Sequence, residues 1–172
     1  MSIAQTFLPE FDYEMANTRR TLERVPEDKL AFTPDPKSMP LGRLAGHIAE
    51  MVGFGGVTMQ TDSMNIQPGD FTPLEVTSQQ QLLGEFDKNV ASTRQALESA
   101  SDDDYMKTWT LSFEGKPMFS MPKVSVIRSM IMNHIIHHRA QLTVYYRMTG
   151  VPVPALYGPS ADEGNAPAGQ AA

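Results

Sequence analysis

The sequence predicts an all-α domain: a four-helix bundle with long irregular connections and a short hairpin before the last helix. Three observations lead there. Four segments carry apolar residues at three- and four-residue steps, the stretches between them are rich in proline and glycine, and only TWTLSFEGKPMFSM has the look of extended pieces. In the first segment Ile3, Phe7, Leu8, Phe11, Met15 and Leu22 make the stripe, ending near Arg24, and Pro9 is compatible only if it lies in or near the first turn. VPEDKLAFTPDPKSMP then forms an extended connection, with Pro40 in the first turn of a second helix over Leu41–Met59. That helix places Leu44, His47, Ile48, Met51 and Val52 on one side, and Gly53, Gly55 and Gly56 interrupt its later turns. Residues 60–77 are expected to be irregular. Ser78 with Gln81 resembles a capping box opening a third helix, whose stripe is Leu82, Leu83, Phe86, Val90, Thr93 and Leu97, fading by Ala100. A hairpin about Glu114-Gly115-Lys116 follows, and Pro122 starts the last helix, which Gly150 stops at Met148 or Thr149. Residues 1–158 are thus assigned to the bundle and 159–172 to a C-terminal tail.

Composition narrows the function. The chain has 172 residues, 41% of them apolar, enough for one domain that is stable without disulfides. It has no cysteine, which excludes thiolate metal sites, iron–sulfur clusters and a catalytic thiol, and which fits a cytoplasmic setting. Fourteen basic against 20 acidic residues give a net charge of −6, which offers a nucleic acid no general phosphate-binding surface. The first twenty residues do not have the pattern of a signal peptide, and no window approaches a membrane span. The 12 methionines are read as adaptable core filling.

Three of the four histidines fall within NHIIHHRAQL. His134 and His138, four residues apart, project about 40° from each other on one helix face. That face also carries Ile127, Met130, Ile131, Gln141, Leu142 and Tyr145, so the pair points into the bundle. Two neutral imidazoles in an apolar core need partners for both ring nitrogens, and a divalent cation satisfies two of them at once. His47, mid-helix on an inner face, is the third candidate ligand, whereas His137 is offset by about 60°. Three histidines leave at least one open coordination position for water or substrate, the arrangement of a catalytic metal rather than a structural one. Glu50, one turn beyond His47, is a candidate hydrogen-bond acceptor behind a ligating histidine or a general base, and reads at least as well as a solvated helix residue. Trp109, Gln141 and Tyr145 are candidate pocket residues, although aromatic residues at helical spacing are usually core, and Arg139 projects away from the histidines as a salt-bridge or interface residue. Paired Glu-x-x-His, His-Glu-x-x-His, Walker A and Gly-x-Ser-x-Gly patterns are all absent.

LGRLAGHIAEM, NHIIHHRAQL and the closing VPALYGPSADE together resemble the DinB/YfiT-like superfamily of metalloenzymes, from the first helix to Glu163. The resemblance implies a four-helix bundle, frequently dimeric, with His47, His134 and His138 as metal ligands and His137 as a non-ligand. It implies one divalent ion, zinc or nickel, and chemistry with a low-molecular-weight thiol, as an S-transferase or related hydrolase acting on a small molecule. A non-catalytic metal-dependent binding or stress-response protein is the alternative. Ala140 stands where the pattern usually has glycine; alanine is the better helix former, and little disturbance is expected.

Two further expectations concern assembly and the tail. Met132, Ile136 and Ala140 lie opposite the histidine stripe, so either a second subunit, giving a homodimer, or residues 101–121 must cover that side. The tail is expected to pack as far as Glu163, with Asp162-Glu163 finding a basic partner such as Arg139 or Arg147, and to contribute nothing beyond Gly164.

Overall fold

The computed structural model describes residues 1–164, and its first helix begins at a capping box that periodicity did not reveal. The Ser2 hydroxyl accepts from the Gln5 amide at 3.2 Å, and the Gln5 side chain accepts from the Ser2 amide at 2.9 Å. Helix α1 (Ile3–Leu22) buries Phe7, Phe11, Met15 and Leu22. Pro9 stands inside α1, beyond the first turn. Pro9 and Gln5 are both exposed, so the Gln5 carbonyl that loses its amide partner faces water. The connection includes a 3₁₀ turn, Glu27–Lys29, and its carbonyls serve α2 (Leu41–Gln60) in place of a side-chain cap. Phe32 O accepts from the Leu41 amide at 2.8 Å and Leu30 O from the Gly42 amide at 2.9 Å. Pro40 occupies the N-cap position, just outside the helix.

The glycines of α2 do not end it. A Cβ on Gly55 would lie 2.8 Å from Thr93 Cγ2, so the missing side chain is what lets α3 (Gln79–Ser99) approach. Thr93 uses the close fit: its hydroxyl donates to Val52 O at 2.7 Å and accepts from the Gly56 amide at 3.1 Å. At the start of α3, Ser78 accepts from the Gln81 amide, but the Gln81 side chain accepts from the Thr77 amide and hydroxyl rather than closing the box on Ser78.

The fold is mostly helical but not all-α, because a three-stranded sheet lies beside the bundle. The expected hairpin is present as β2 (Thr108–Phe113) and β3 (Lys116–Pro122), turning at Glu114 and Gly115, which both have positive φ, 49° and 76°. The correction is β1 (Ser63–Ile66), in the stretch expected to be irregular, which pairs parallel with β2 from Ser63↔Thr110 to Ile66↔Phe113. A short helix, α4 (Asp102–Met106), precedes β2, with a second capping box at Ser101. Trp109 is core: its ring meets Phe54 edge-on, and its indole N–H donates to Thr61 Oγ1 at 3.0 Å.

The last helical stretch is not one α-helix. One α turn, α5 (Lys123–Ser125), leads into a π segment, Val126–Met132, and then into α6 (Asn133–Thr149), which ends at the left-handed Gly150 as expected. The wider π turns bury Val126 and Ile127 together with Ile131 and Met132, five residues on, and leave Met130 38% exposed rather than on the inward face. Met132 lies in the chain's own core, so the side opposite the histidines is partly covered from within.

Helices α1, α3, α2 and α6 pack in that cyclic order around the core. The C-terminal segment docks on α1 and α6. Glu163 pairs with Arg24 and, at 3.5 Å, Arg20; Asp162 pairs with Arg147; and Tyr157 reaches the buried Arg139–Glu14 pair. The expectation that the tail contributes nothing beyond Gly164 lies outside the described residues. Among the described residues, no helix is long and apolar enough to cross a membrane.

Candidate metal centre

Helix α2 contributes His47 and α6 contributes His134 and His138, and because α2 packs on α6 the three rings meet between them. Their nearest nitrogens lie within 4.8 Å of one another. His134 Nε2 is 2.7 Å from His138 Nε2 and 3.5 Å from His47 Nε2. A divalent ion bound at about 2.0–2.1 Å holds neighbouring donor nitrogens roughly 3 Å apart, a separation these two distances bracket. Two imidazole lone pairs cannot face each other at 2.7 Å without a proton or a cation between them. The donor set therefore fits a divalent ion. Among the described residues, the converging group comprises these three histidines.

The surroundings set the protonation of the rings. His138 Nδ1 donates to Gln141 Oε1 at 2.7 Å, which fixes Nε2 as the lone-pair nitrogen facing its neighbours. Burial, then the nearby His138, His134 and Arg43, pull His47 down to about 4. Burial also lowers His138, partly opposed by its hydrogen bond to Gln141. Both are thus neutral near pH 7, as metal ligation requires. His137 is exposed; its ring centroid is 5.0 Å from that of His138, but it lies outside the converging group.

Glu50 comes within 3.9 Å of His47 Nδ1. Its carboxylate is otherwise engaged: Oε2 accepts from Arg43 Nη2 at 2.8 Å, and Oε1 accepts from the Leu74 amide. Arg43 was not singled out from the sequence, although it lies one turn before His47 on the same helix and its charge is felt there. Tyr145 hydrogen-bonds Met39 O at 3.1 Å and packs edge-on to Phe32, at the edge of the core. Arg139 makes the salt bridge expected of it, buried, with Glu14 at 2.7 Å.

The sequence model described as the DinB superfamily matches residues 10–142. The chain belongs to the DinB superfamily. YrdA of Bacillus subtilis (strain 168), described as an uncharacterized protein, is 29% identical over 157 residues, covering 91% of this chain and 89% of that one. The crystal structure of a DinB-like protein from Bacillus cereus ATCC 10987 superposes with a TM-score of 0.70 at 27% identity, covering 91% of this chain and 98% of that one. A DinB-like protein from Bacillus subtilis, YjoA, gives a TM-score of 0.65 at 18% identity over 86% of this chain and 96% of its own, a likeness of fold alone.

Proposed function

We propose that this DinB protein is a metal-dependent enzyme, a thiol-dependent S-transferase or related hydrolase acting on a small molecule, with His47, His134 and His138 holding one zinc or nickel ion. The convergence of three imidazoles within 4.8 Å carries the reading. A divalent ion held there supplies Lewis acidity, lowering the pKa of a thiol or water brought to its open side. Three observations support catalysis over simple binding. The group contains three protein donors, His47 keeps 21% of its side chain exposed, and among the described residues no carboxylate belongs to the donor set, which leaves the charge of a divalent ion for an anionic co-substrate to offset. Gln141 holds His138 by Nδ1 and so orients its Nε2.

The reading includes a low-molecular-weight thiol as co-substrate, action in the cytoplasm and a homodimeric working state. Val144 and Met148, each 56% exposed, extend the outer side of α6 beyond the exposed Ala140 and offer a second subunit apolar surface. Sedimentation of a 19.0 kDa species at micromolar concentration counts against the dimer. The decisive experiment is zinc and nickel titration of single alanine variants, followed by a thiol-conjugation screen. His47→Ala, His134→Ala and His138→Ala each lose tight binding, and His137→Ala keeps about one ion per chain. Retained binding in His47→Ala, or loss confined to His137→Ala, rejects the ligand set. Tight binding without turnover of any thiol or ester leaves a binding protein.

A further inference from the structure

A metal-ligating histidine donates its second ring N–H to a fixed acceptor, and loss of that acceptor weakens metal binding. For His138 the acceptor is Gln141. For His47 a carboxylate oxygen, Glu50 Oε2, stands 3.9 Å from Nδ1 and is held meanwhile by Arg43. The other oxygen of the same carboxylate holds the Leu74 amide, from an irregular segment far along the chain. That segment lies directly on α2: a Cβ on Gly46, the residue before His47, would sit 3.1 Å from Leu74 O and 3.2 Å from Val76 Cγ2. Arg43 Nη2 and the Leu74 amide thus hold the Glu50 carboxylate from two sides, while Arg43 Nη1 is buried with no hydrogen-bond partner among the described residues.

Resting on the metal-centre reading above, we propose that Glu50 is a positioning residue with two clients. Through Oε2 it orients His47 for a metal, and through Oε1 it fastens the strap of residues 67–77 beside the triad, so that metal binding and seating of the strap reinforce each other. The two tasks use different oxygens and do not compete. Drawing Oε2 onto His47 Nδ1 immobilises the carboxylate and strengthens its hold on Leu74. Reciprocity then requires that loosening the strap weaken metal binding by the factor with which metal secures it.

The test uses zinc alone, added to metal-free full-length protein, with affinity read against a competing chelator and hydrogen exchange followed over residues 67–77. In the wild type, zinc slows exchange of the strap. Glu50→Gln binds zinc about tenfold more weakly or worse, and exchange of its strap no longer responds to zinc. Leu74→Pro removes the donated amide while leaving the residues of α2 unchanged, and keeps the idea testable should the first variant misfold. Its affinity falls by the factor that the wild-type exchange change predicts. Zinc binding in both variants within about twofold of wild type, or a wild-type strap indifferent to zinc, overturns the coupling while leaving the metal centre intact. Wild-type protein that binds no zinc through its histidines instead removes the metal-centre reading, and this inference with it.

Discussion

Gln141 decides which nitrogen of His138 faces the other two rings, because its carbonyl oxygen accepts a hydrogen bond from Nδ1–H at 2.7 Å. Gln141→Leu is therefore expected to weaken zinc binding by about 10–100-fold while leaving the fold intact, as measured by competitive titration and circular dichroism. pH acts on the same rings. An unfolded imidazole takes a proton near 6.5, whereas His47 in the fold does so only at about 4, chiefly because of burial. Between those values the unfolded chain binds more protons, so this contribution to stability is complete above about 6.5 and is lost as pH falls through the window towards 4. Melting of metal-free protein should fall more steeply between pH 7 and 4.5 for wild type than for His47→Ala; equal slopes would assign the acid sensitivity elsewhere. The triad was legible because four-residue spacing on an apolar helix face, with a third histidine on another inner face, leaves few alternatives. Arg43 and the Leu74 amide were not, since one is an ordinary helix arginine and the other is a backbone group brought in from a distant loop.

At the level of elements, periodicity located all four bundle helices and failed wherever the chain departed from a single period. β1 is four residues long and finds its partner strand more than forty positions later, too little local pattern to identify it. The π segment has no signature of composition, and projecting it at α geometry turned Met130 inward when the wider turns carry it outward. Gly55 has the look of an interruption in the sequence and is a contact point in the fold. Gly55→Ala should cost about 1–3 kcal/mol in urea unfolding, because the new methyl overlaps Thr93 Cγ2. Pairing it with Thr93→Ser, which removes that methyl but keeps the hydroxyl bonded to Val52 O and the Gly56 amide, should recover part of the loss. Additive costs would place the strain elsewhere.

Over the whole molecule, one buried charge joins the first helix, the last helix and the C-terminal segment. Arg139 donates through Nη1 to Glu14 O and Thr18 Oγ1, both at 3.0 Å, and through Nη2 to the Glu14 carboxylate at 2.7 Å and to the Tyr157 hydroxyl. Burial, aided by the Glu14 carboxylate, pushes the Tyr157 phenol up to about 12, so it remains a donor to Glu14 at 2.7 Å. The arginine projects away from the histidines, so its loss should change folding before it changes metal binding. Arg139→Met leaves a carboxylate in the core without its counter-charge and should cost about 3–5 kcal/mol, read from the urea midpoint. Glu14→Leu combined with Arg139→Met removes both charges and should be the less damaging change, since the cost of stranding an ion disappears with the ion. Tyr157 loses both partners in the double variant, so proteolysis near Leu156 should accelerate even as stability recovers, separating the tail's attachment from the stability of the bundle. A double variant no more stable than Arg139→Met would mean that the guanidinium's bonds to Glu14 O and Thr18 Oγ1, rather than its charge, hold the two helices together.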